Sequence, residues 1–137
     1  MNASTVGDAE YVRLLEFRDG LRRFLRWSEE RAKEVGLTAP QHQLLLSIRG
    51  HAGDPSVRDV AEHLLLRHHS AVELVDRAAA AGLVRRIADS GDQRVVRLQL
   101  TSEGESKLRQ LSATHLEELS RLRPQFESLW DQLPGSR

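Results

Sequence analysis

The stretch that decides the fold is SVRDVAEHLLLRHHSAVELVDRAAAAGLVRRIADSGDQRVVRLQLTSEG, residues 56–104. The spacing of its apolar residues predicts a short helix over 56–64 and a second helix over 70–81, which a glycine ends. Two strand-like runs follow, 83–87 and 94–100, joined by a linker rich in turn-forming residues. Helix, turn, helix and an arginine-bearing hairpin is the order of a winged helix-turn-helix. The predicted fold is therefore mainly α with a small β-hairpin wing (α+β).

A further helix is predicted in front of this stretch, so that the winged helix-turn-helix domain covers residues 37–102. Thr38 and Gln41 have the spacing of a capping box, in which each side chain bonds the backbone amide of the other residue. The apolar positions of this helix continue to about Arg49, and Gly50 opens a glycine-rich break.

Long amphipathic helices are predicted on both sides of the winged domain. Residues 8–35 carry a broad apolar stripe that Gly36 terminates, and residues 103–133 carry another, which Pro124 should kink or split. A helix of about 25 residues is roughly 37 Å long, more than one small domain covers. We therefore expect the two segments to form a helical dimerisation region that pairs two copies of the chain. The alternative is that the two ends pack on each other within one chain.

The charge of the chain permits nucleic-acid binding without requiring it. Twenty basic residues balance twenty acidic ones, and residues 56–104 hold seven arginines against seven acids. Any affinity for DNA must therefore come from where the charges lie. The absence of cysteine excludes disulfides and thiolate zinc sites. Because no apolar run approaches 18 residues, we expect a cytoplasmic protein with no membrane partner.

The start of the second helix carries the residues best placed to touch DNA. Arg67, His68 and His69 lie just before or at this start, where side chains and amide groups can meet phosphates or base edges. Ser70 and Glu73 have the spacing of a capping box, and closing the helix end is the preferred interpretation of this pair. The alternative for Glu73 is to accept a hydrogen bond from cytosine N4.

Two more arginines are candidates for DNA contacts. Arg77 points away from the apolar face of the second helix and should meet a phosphate or Asp76. The predicted inward face of that helix consists of Val72, Val75, Ala78 and Ala79. Arg94 lies just past the turn of the hairpin, where an arginine can enter the minor groove. The alternative for Arg94 is a surface ion pair with Asp92 or Asp89, which contributes little stability.

Several short motifs along the chain occur together in a known family. They are Gly36-Leu37-Thr38 with Gln41, Leu74-Val75-Asp76-Arg77, Gly82-Leu83-Val84 with Arg86, Asp92-Gln93-Arg94, and Leu100-Thr101-Ser102-Glu103-Gly104. With these motifs the chain resembles the MarR family of bacterial transcription regulators from about residue 10 to 133. Each motif is weak alone, but their common order and spacing is specific.

The resemblance implies a homodimeric repressor that binds a palindromic operator in double-stranded DNA. The positions that would contact DNA are His69, Ser70, Glu73 and, in the wing, Arg94. Arg86 and Asp92 would brace the wing through an ion pair. Many members of the family have a basic or small residue where this chain has Glu73, which is a departure from the family pattern.

The family is also regulated by small molecules, often aromatic or phenolic acids, so the resemblance implies such an effector here. It would bind between the dimerisation helices and the winged domain and weaken DNA binding. Arg26, Trp27 and His42 are pocket candidates by their expected location alone. A core or interface position for Trp27, and an ordinary helix position for His42, are the preferred interpretations.

Three other classes of function have less support. Metal sensing would need histidines such as His63, His68 and His69 to converge with a carboxylate such as Glu62, and no HExxH spacing is present. No nucleophile elbow, phosphate loop or paired-carboxylate arrangement indicates an enzyme, so no catalytic residue, metal or cofactor is expected. The alternative from a different class is a winged helix used only for protein contacts, which the neutral charge and Glu73 favour slightly.

Overall fold

The computed structural model describes residues 3–133. A short 3₁₀ turn, Ala3–Thr5, precedes the helices α1 (Asp8–Glu34), α2 (Ala39–Gly50), α3 (Val57–Leu64) and α4 (His68–Ala80), the strands β1 (Val84–Ala88) and β2 (Val96–Leu100), and the helix α5 (Ser102–Asp131). The chain divides into a central unit, Arg31–Ser112, and a terminal unit formed by the residues up to Glu30 and from Ala113 onward. The predicted fold, mainly α with a β-hairpin wing, is confirmed.

The core of the central unit is formed by the inner faces of α2, α3, α4 and the hairpin. Leu44 and Leu45 of α2, Val60 of α3, Val75 of α4 and Leu98 of β2 have no exposed surface. The helices α2, α3 and α4 all contact one another, and the two strands pack against them. Because burying an aliphatic side chain of this size contributes about 1.5–3 kcal/mol, this core holds the helix-turn-helix and the hairpin in one arrangement.

The hairpin is a two-stranded antiparallel sheet whose register pairs Val84 with Leu100. The second strand begins two residues later than predicted, at Val96. Val95 belongs to the turn instead, because its amide donates to the backbone oxygen of Asp92 at 3.0 Å. The turn is therefore longer than the linker predicted from the sequence, and it includes the position of the wing arginine.

Two helices of the central unit begin with a capping box. The Thr38 hydroxyl accepts from the Gln41 amide at 3.2 Å, and the Gln41 side chain accepts from the Thr38 amide at 3.0 Å. Ser56 and Asp59 make the same reciprocal pair at the start of α3. Each box satisfies two amide groups that a helix start leaves without partners. The prediction for Thr38 and Gln41 is confirmed.

The predicted capping box of Ser70 and Glu73 is wrong. Helix α4 begins at His68, because Arg67 has an extended backbone (φ −68°, ψ 152°) and leads the chain into the helix. Ser70 is therefore the third residue of the helix, where its hydroxyl cannot act as the N-cap acceptor. Glu73 is left without the helix-closing role.

The inward face of α4 also differs in part from the prediction. Val75 and Ala78 are buried as expected, but the third buried residue is Ala71. Val72 and Ala79 are only half-buried. Positions 71, 75 and 78 lie three and four residues apart, so they share one side of the helix and leave the opposite side to solvent.

Gly104 lies in the first turn of α5, where the backbone of the preceding hairpin leaves no room for a side chain. A Cβ atom at this position would stand 2.2 Å from the backbone oxygen of Leu83. The same oxygen accepts from the Thr101 amide at 3.0 Å, and the Thr101 hydroxyl donates to the backbone oxygen of Gly82 at 2.6 Å. The Thr-x-x-Gly motif thus ties the start of α5 to the start of β1.

In the terminal unit, the chain ends pack on each other through aromatic rings. The rings of Phe17 and Trp130 meet edge to face with centroids 5.4 Å apart, and those of Trp27 and His115 are 4.8 Å apart. His115 Nε2 also lies 2.7 Å from the hydroxyl of Ser28. Packing within one chain, which the sequence left as the alternative to a dimer, is therefore present.

This packing leaves apolar side chains of the terminal unit at the surface. Residues with 49–66% of their surface exposed are Tyr11, Val12, Leu14, Leu15, Leu25, Leu116, Leu119 and Trp130. Within residues 3–133, no helix has a stretch long and apolar enough to cross a membrane.

Helix α5 is not split at Pro124, contrary to one form of the prediction. It continues to Asp131. Proline removes the amide that would bond the carbonyl of Ser120, and that residue is exposed. Water can therefore satisfy the free carbonyl, and the helix persists.

Candidate nucleic-acid interface

The start and the outer face of α4 carry polar side chains that make no hydrogen bond or ion pair within the described chain. They are Arg67 at the N-cap and, within the helix, His68, His69, Glu73 and Arg77, all of them exposed. No hydrogen bond or ion pair links any of these side chains to another of residues 3–133. Ser70, the remaining candidate from the sequence, is half-buried in the first turn.

His69, Glu73 and Arg77 follow one another at four-residue intervals along this face. Since each residue of a helix turns by about 100°, three residues at this spacing form a nearly straight row. Glu73 stands at the middle of the row, opposite the buried side formed by Ala71 and Val75. The outer face therefore presents two nitrogen donors with one carboxylate between them.

The predicted ion pair between Arg86 and Asp92 is wrong. Arg86, on β1, donates to the carboxylate of Asp76, on α4. Asp92 instead accepts from Arg94 within the turn of the wing. The side chain of Arg86 therefore joins the hairpin to the helix and not to its own turn.

Arg94 is held by Asp92 at the tip of the wing and is otherwise open to solvent. Its Nε and terminal nitrogen donate to the two oxygens of Asp92 at 3.1 and 3.2 Å, and its backbone amide donates at 3.0 Å. The side-chain hydrogen bond from Arg94 lowers the pKa of Asp92 below its ordinary value. The side chain of Arg94 is 90% exposed. The ion pair that the sequence left as an alternative is present, but an exposed pair is weak enough to yield to a phosphate.

The base of the wing is anchored by Arg97, a residue that the sequence pattern did not single out. Arg97 Nε donates to Asp89 Oδ1 at 3.0 Å, and Arg97 also lies 3.8 Å from Asp59 at the start of α3. Asp89 in turn accepts from the amides of Gly91 and Asp92 and so closes the turn. The only signal for this anchor in the sequence was the local Ser-x-x-Asp pattern at 56–59, which does not reveal the arginine.

Of the three candidates for an effector pocket, Arg26 and Trp27 belong to the terminal unit and His42 to the central unit. Arg26 is exposed and lies 3.5 Å from Glu30 in an ion pair one turn along α1. Trp27 lines a cavity of about 290 Å³ within the terminal unit, together with Phe24 and Phe126. His42 is 8% exposed and belongs to the central unit.

The histidines do not assemble a metal centre in the described part of the chain. His51 Nδ1 and His63 Nε2 lie 2.9 Å apart, while His68 and His69 are separate on the surface of α4. Among residues 3–133, no three side chains of histidine, aspartate or glutamate come together as metal ligands would.

A helix-turn-helix with an open outer face on its second helix, followed by an arginine-tipped hairpin, defines a winged helix-turn-helix protein. The model of the MarR family matches residues 35–95, which include most of the central unit. The resemblance to this family that was predicted from the sequence is confirmed over these residues.

Known transcription regulators resemble this chain in sequence and in structure. The HTH-type transcriptional repressor MdtR of Bacillus subtilis is 30% identical over 84 residues, which are 61% of this chain and 54% of MdtR. The chain thus spans about half the length of the curated relatives it matches. A MarR family protein from Bacillus stearothermophilus is 28% identical, with a TM-score of 0.73 over 89% of this chain and 81% of that one. A mutant of MepR from S. aureus, bound to an oligodeoxyribonucleotide, is 18% identical, with a TM-score of 0.63 over 95% and 87%.

Proposed function

We propose that the protein is a homodimeric transcription repressor that binds a palindromic operator in double-stranded DNA and is released by a small ligand. The observation that carries the proposal is the polar surface formed by the start and the outer face of α4. It presents Arg67, His68, His69 and Arg77 to solvent with no partner among residues 3–133. Side chains in this state suit phosphates and base edges, because binding them breaks no existing contact.

The start of α4 is suited to a phosphate as well. The N-cap residue Arg67 makes no capping hydrogen bond with its side chain. The first amides of a helix carry a partial positive charge and no partner within the helix. A DNA phosphate near His68 and His69 would meet these amides together with the guanidinium of Arg67.

The wing supplies a second proposed contact with DNA, again through an exposed side chain. Arg94 is almost fully exposed, and Arg97 and Asp89 hold the turn that carries it. With α4 in the major groove, a wing arginine can reach the adjacent minor groove or its phosphates. The complex of the MepR mutant with an oligodeoxyribonucleotide supports DNA binding by the shared fold.

The exposed apolar residues of the terminal unit are proposed to be buried against a second copy of the chain. Leu14, Leu15, Leu116 and Trp130 are each more than half exposed in the single chain. Water contact of so many large apolar side chains is unfavourable, and a two-fold interface would remove it. Two copies would also carry two helices α4 to two half-sites.

The proposed effector is a small aromatic acid bound in the cavity of the terminal unit. Phe24, Trp27 and Phe126 line this cavity with aromatic rings. Arg23 lines it with a guanidinium group, and so does Arg121, which is hydrogen-bonded to Glu118 in the same lining. Rings stack on an aromatic ligand, and a guanidinium pairs with a carboxylate. Repression rather than activation is supported by the similarity to MdtR, which is a repressor.

DNA binding is tested by fluorescence anisotropy with a duplex from the region upstream of the gene itself. The affinity should fall steeply as the salt concentration rises, because phosphate contacts release counterions. Binding that is absent, or that does not depend on salt, would instead favour a winged helix that contacts only protein. Addition of benzoate or salicylate as aromatic-acid probes should lower the affinity, and a Trp27→Leu variant should respond less.

A further inference from the structure

Glu73 is an acidic residue at the centre of a surface that should meet a polyanion. It is exposed on the outer face of α4, and its carboxylate has no hydrogen bond or ion pair with any of residues 3–133. The neighbouring carboxylate of Asp76 is different, because Arg86 holds it. Glu73 is therefore the one carboxylate of α4 that no described cation neutralises.

No structural role within the described chain accounts for Glu73. It is the sixth residue of a helix that begins at His68, so it is too far along to close the helix start. It does not pair with Arg77, although the four-residue interval between them permits such a pair. The side chain contributes nothing to the core, whose α4 members are Ala71, Val75 and Ala78.

In a major groove, the carboxylate would lose water and approach the phosphates. Both changes are unfavourable unless the carboxylate finds a hydrogen-bond donor. The major-groove edge of DNA offers two kinds of donor, the N4 amino group of cytosine and the N6 amino group of adenine. On adenine the amino group stands beside the acceptor N7, which repels a carboxylate, whereas cytosine has no acceptor at the neighbouring C5.

The two donors beside Glu73 would suit the guanine that pairs with such a cytosine. The guanine that pairs with cytosine presents only acceptors, N7 and O6, in the major groove. Arg77 and His69 lie one turn to either side of Glu73 and are exposed. A carboxylate on cytosine and a guanidinium or imidazole on guanine would match the alternation of acceptor and donor along the row.

We propose that Glu73 is a specificity-determining residue that accepts a hydrogen bond from cytosine N4, so that each operator half-site contains a C·G pair at the position facing it. The inference rests on the proposed DNA-binding function and adds the base that this chain selects. The negative charge then serves discrimination, since it disfavours every base pair that lacks a donor at that position.

The test is selection of binding sites from randomised duplex DNA with the wild type and with Glu73→Gln. The wild type should enrich a symmetric site with a C·G pair at one position of each half. Glutamine bonds N6 and N7 of adenine, so the variant should enrich A·T at that position and leave the others unchanged. The affinities of both proteins for the C·G site and the A·T site are then measured. The ratio of the two affinities should differ between the wild type and Glu73→Gln by about tenfold or more.

A matched control separates the loss of a contact from the loss of a charge. Glu103→Gln removes the same charge from an exposed residue of α5 in the central unit, and its selected site should equal that of the wild type. An unchanged base preference in Glu73→Gln, with affinity raised equally for all sequences, would overturn this inference and leave the proposed function standing. Failure of the wild type to enrich any sequence would overturn both.

Discussion

Arg97 Nε lies 3.0 Å from Asp89 Oδ1, and this pair holds the turn of the wing to the strand that follows it. The same guanidinium lies 3.8 Å from Asp59, whose carboxylate also caps helix α3. One arginine thus joins the wing, which carries Arg94, to the first helix of the helix-turn-helix. The wing is therefore attached to the helix-turn-helix by a group that is not itself proposed to touch base or phosphate.

We expect the free energy of unfolding to decrease below about pH 4 because of the two carboxylates, Asp89 and Asp59, that face this arginine. The side-chain hydrogen bond from Arg97 lowers the pKa of Asp89 below 3.8, and the Ser56 backbone amide does the same for the pKa of Asp59. A carboxyl whose pKa is lower in the folded state stabilises it fully above the unfolded-state pKa. That contribution is lost as the pH falls through the folded-state pKa.

Urea denaturation between pH 3 and pH 6 measures this effect, with Asp59→Asn as the comparison. The variant should be less stable than the wild type at pH 6, and the difference should shrink toward pH 3. A difference that stays constant over this range would show that the charge of Asp59 does not contribute.

Replacement of Gly104 by alanine should destabilise the central unit by about 1–3 kcal/mol, the usual range for overpacking a tight site. The added Cβ would stand 2.2 Å from the Leu83 oxygen, so the hairpin and α5 would have to separate. Gly50→Ala is the control, since a Cβ there meets nothing within 4 Å and Gly50 ends helix α2. Thermal unfolding should show a lower midpoint for the first variant only, and equal midpoints would contradict the contact.

Replacement of Arg94 by alanine should weaken DNA binding for all sequences and lower the salt slope of log affinity by about one. The fold should be retained, because an exposed ion pair such as the one with Asp92 contributes little stability. Arg109→Ala provides the control, as Arg109 is an exposed arginine of α5 paired with Glu105. If anisotropy titrations gave the same affinity and salt slope for the wild type and Arg94→Ala, the wing would have no role in binding.

The protein should sediment at micromolar concentration as a species of about twice the 15.5 kDa chain mass. Introducing charge at two exposed apolar positions of the terminal unit, Leu15→Glu with Leu116→Glu, should shift it to the single-chain mass. The control is Leu46→Glu, which changes a similarly exposed leucine of the central unit. The protein with this substitution should remain dimeric. A single-chain mass for the wild type would rule out the dimer, and an unaffected double variant would place the interface elsewhere.

Much of the fold was predictable because its signals are local. The capping box of Thr38 and Gln41 depends on atoms three residues apart, and it formed as expected. The wing strands were found from their alternation, although β2 starts at Val96 because turn hydrogen bonds hold the two residues before it. The candidate DNA contacts could also be predicted from their position in the pattern, and the structure leaves Arg67, His69 and Arg77 exposed at the start and on the outer face of α4.

By itself, the sequence determined the order of helices, turn and hairpin, since apolar periodicity and turn chemistry act over a few neighbouring residues. Only the tertiary structure decided which charges are free. In the folded chain, Arg86 pairs with Asp76 instead of Asp92, and Arg97 pairs with Asp89. Glu73 has no partner among the described residues. An ion pair depends on distances of a few ångströms between side chains on different elements, and those distances exist only after the core has packed.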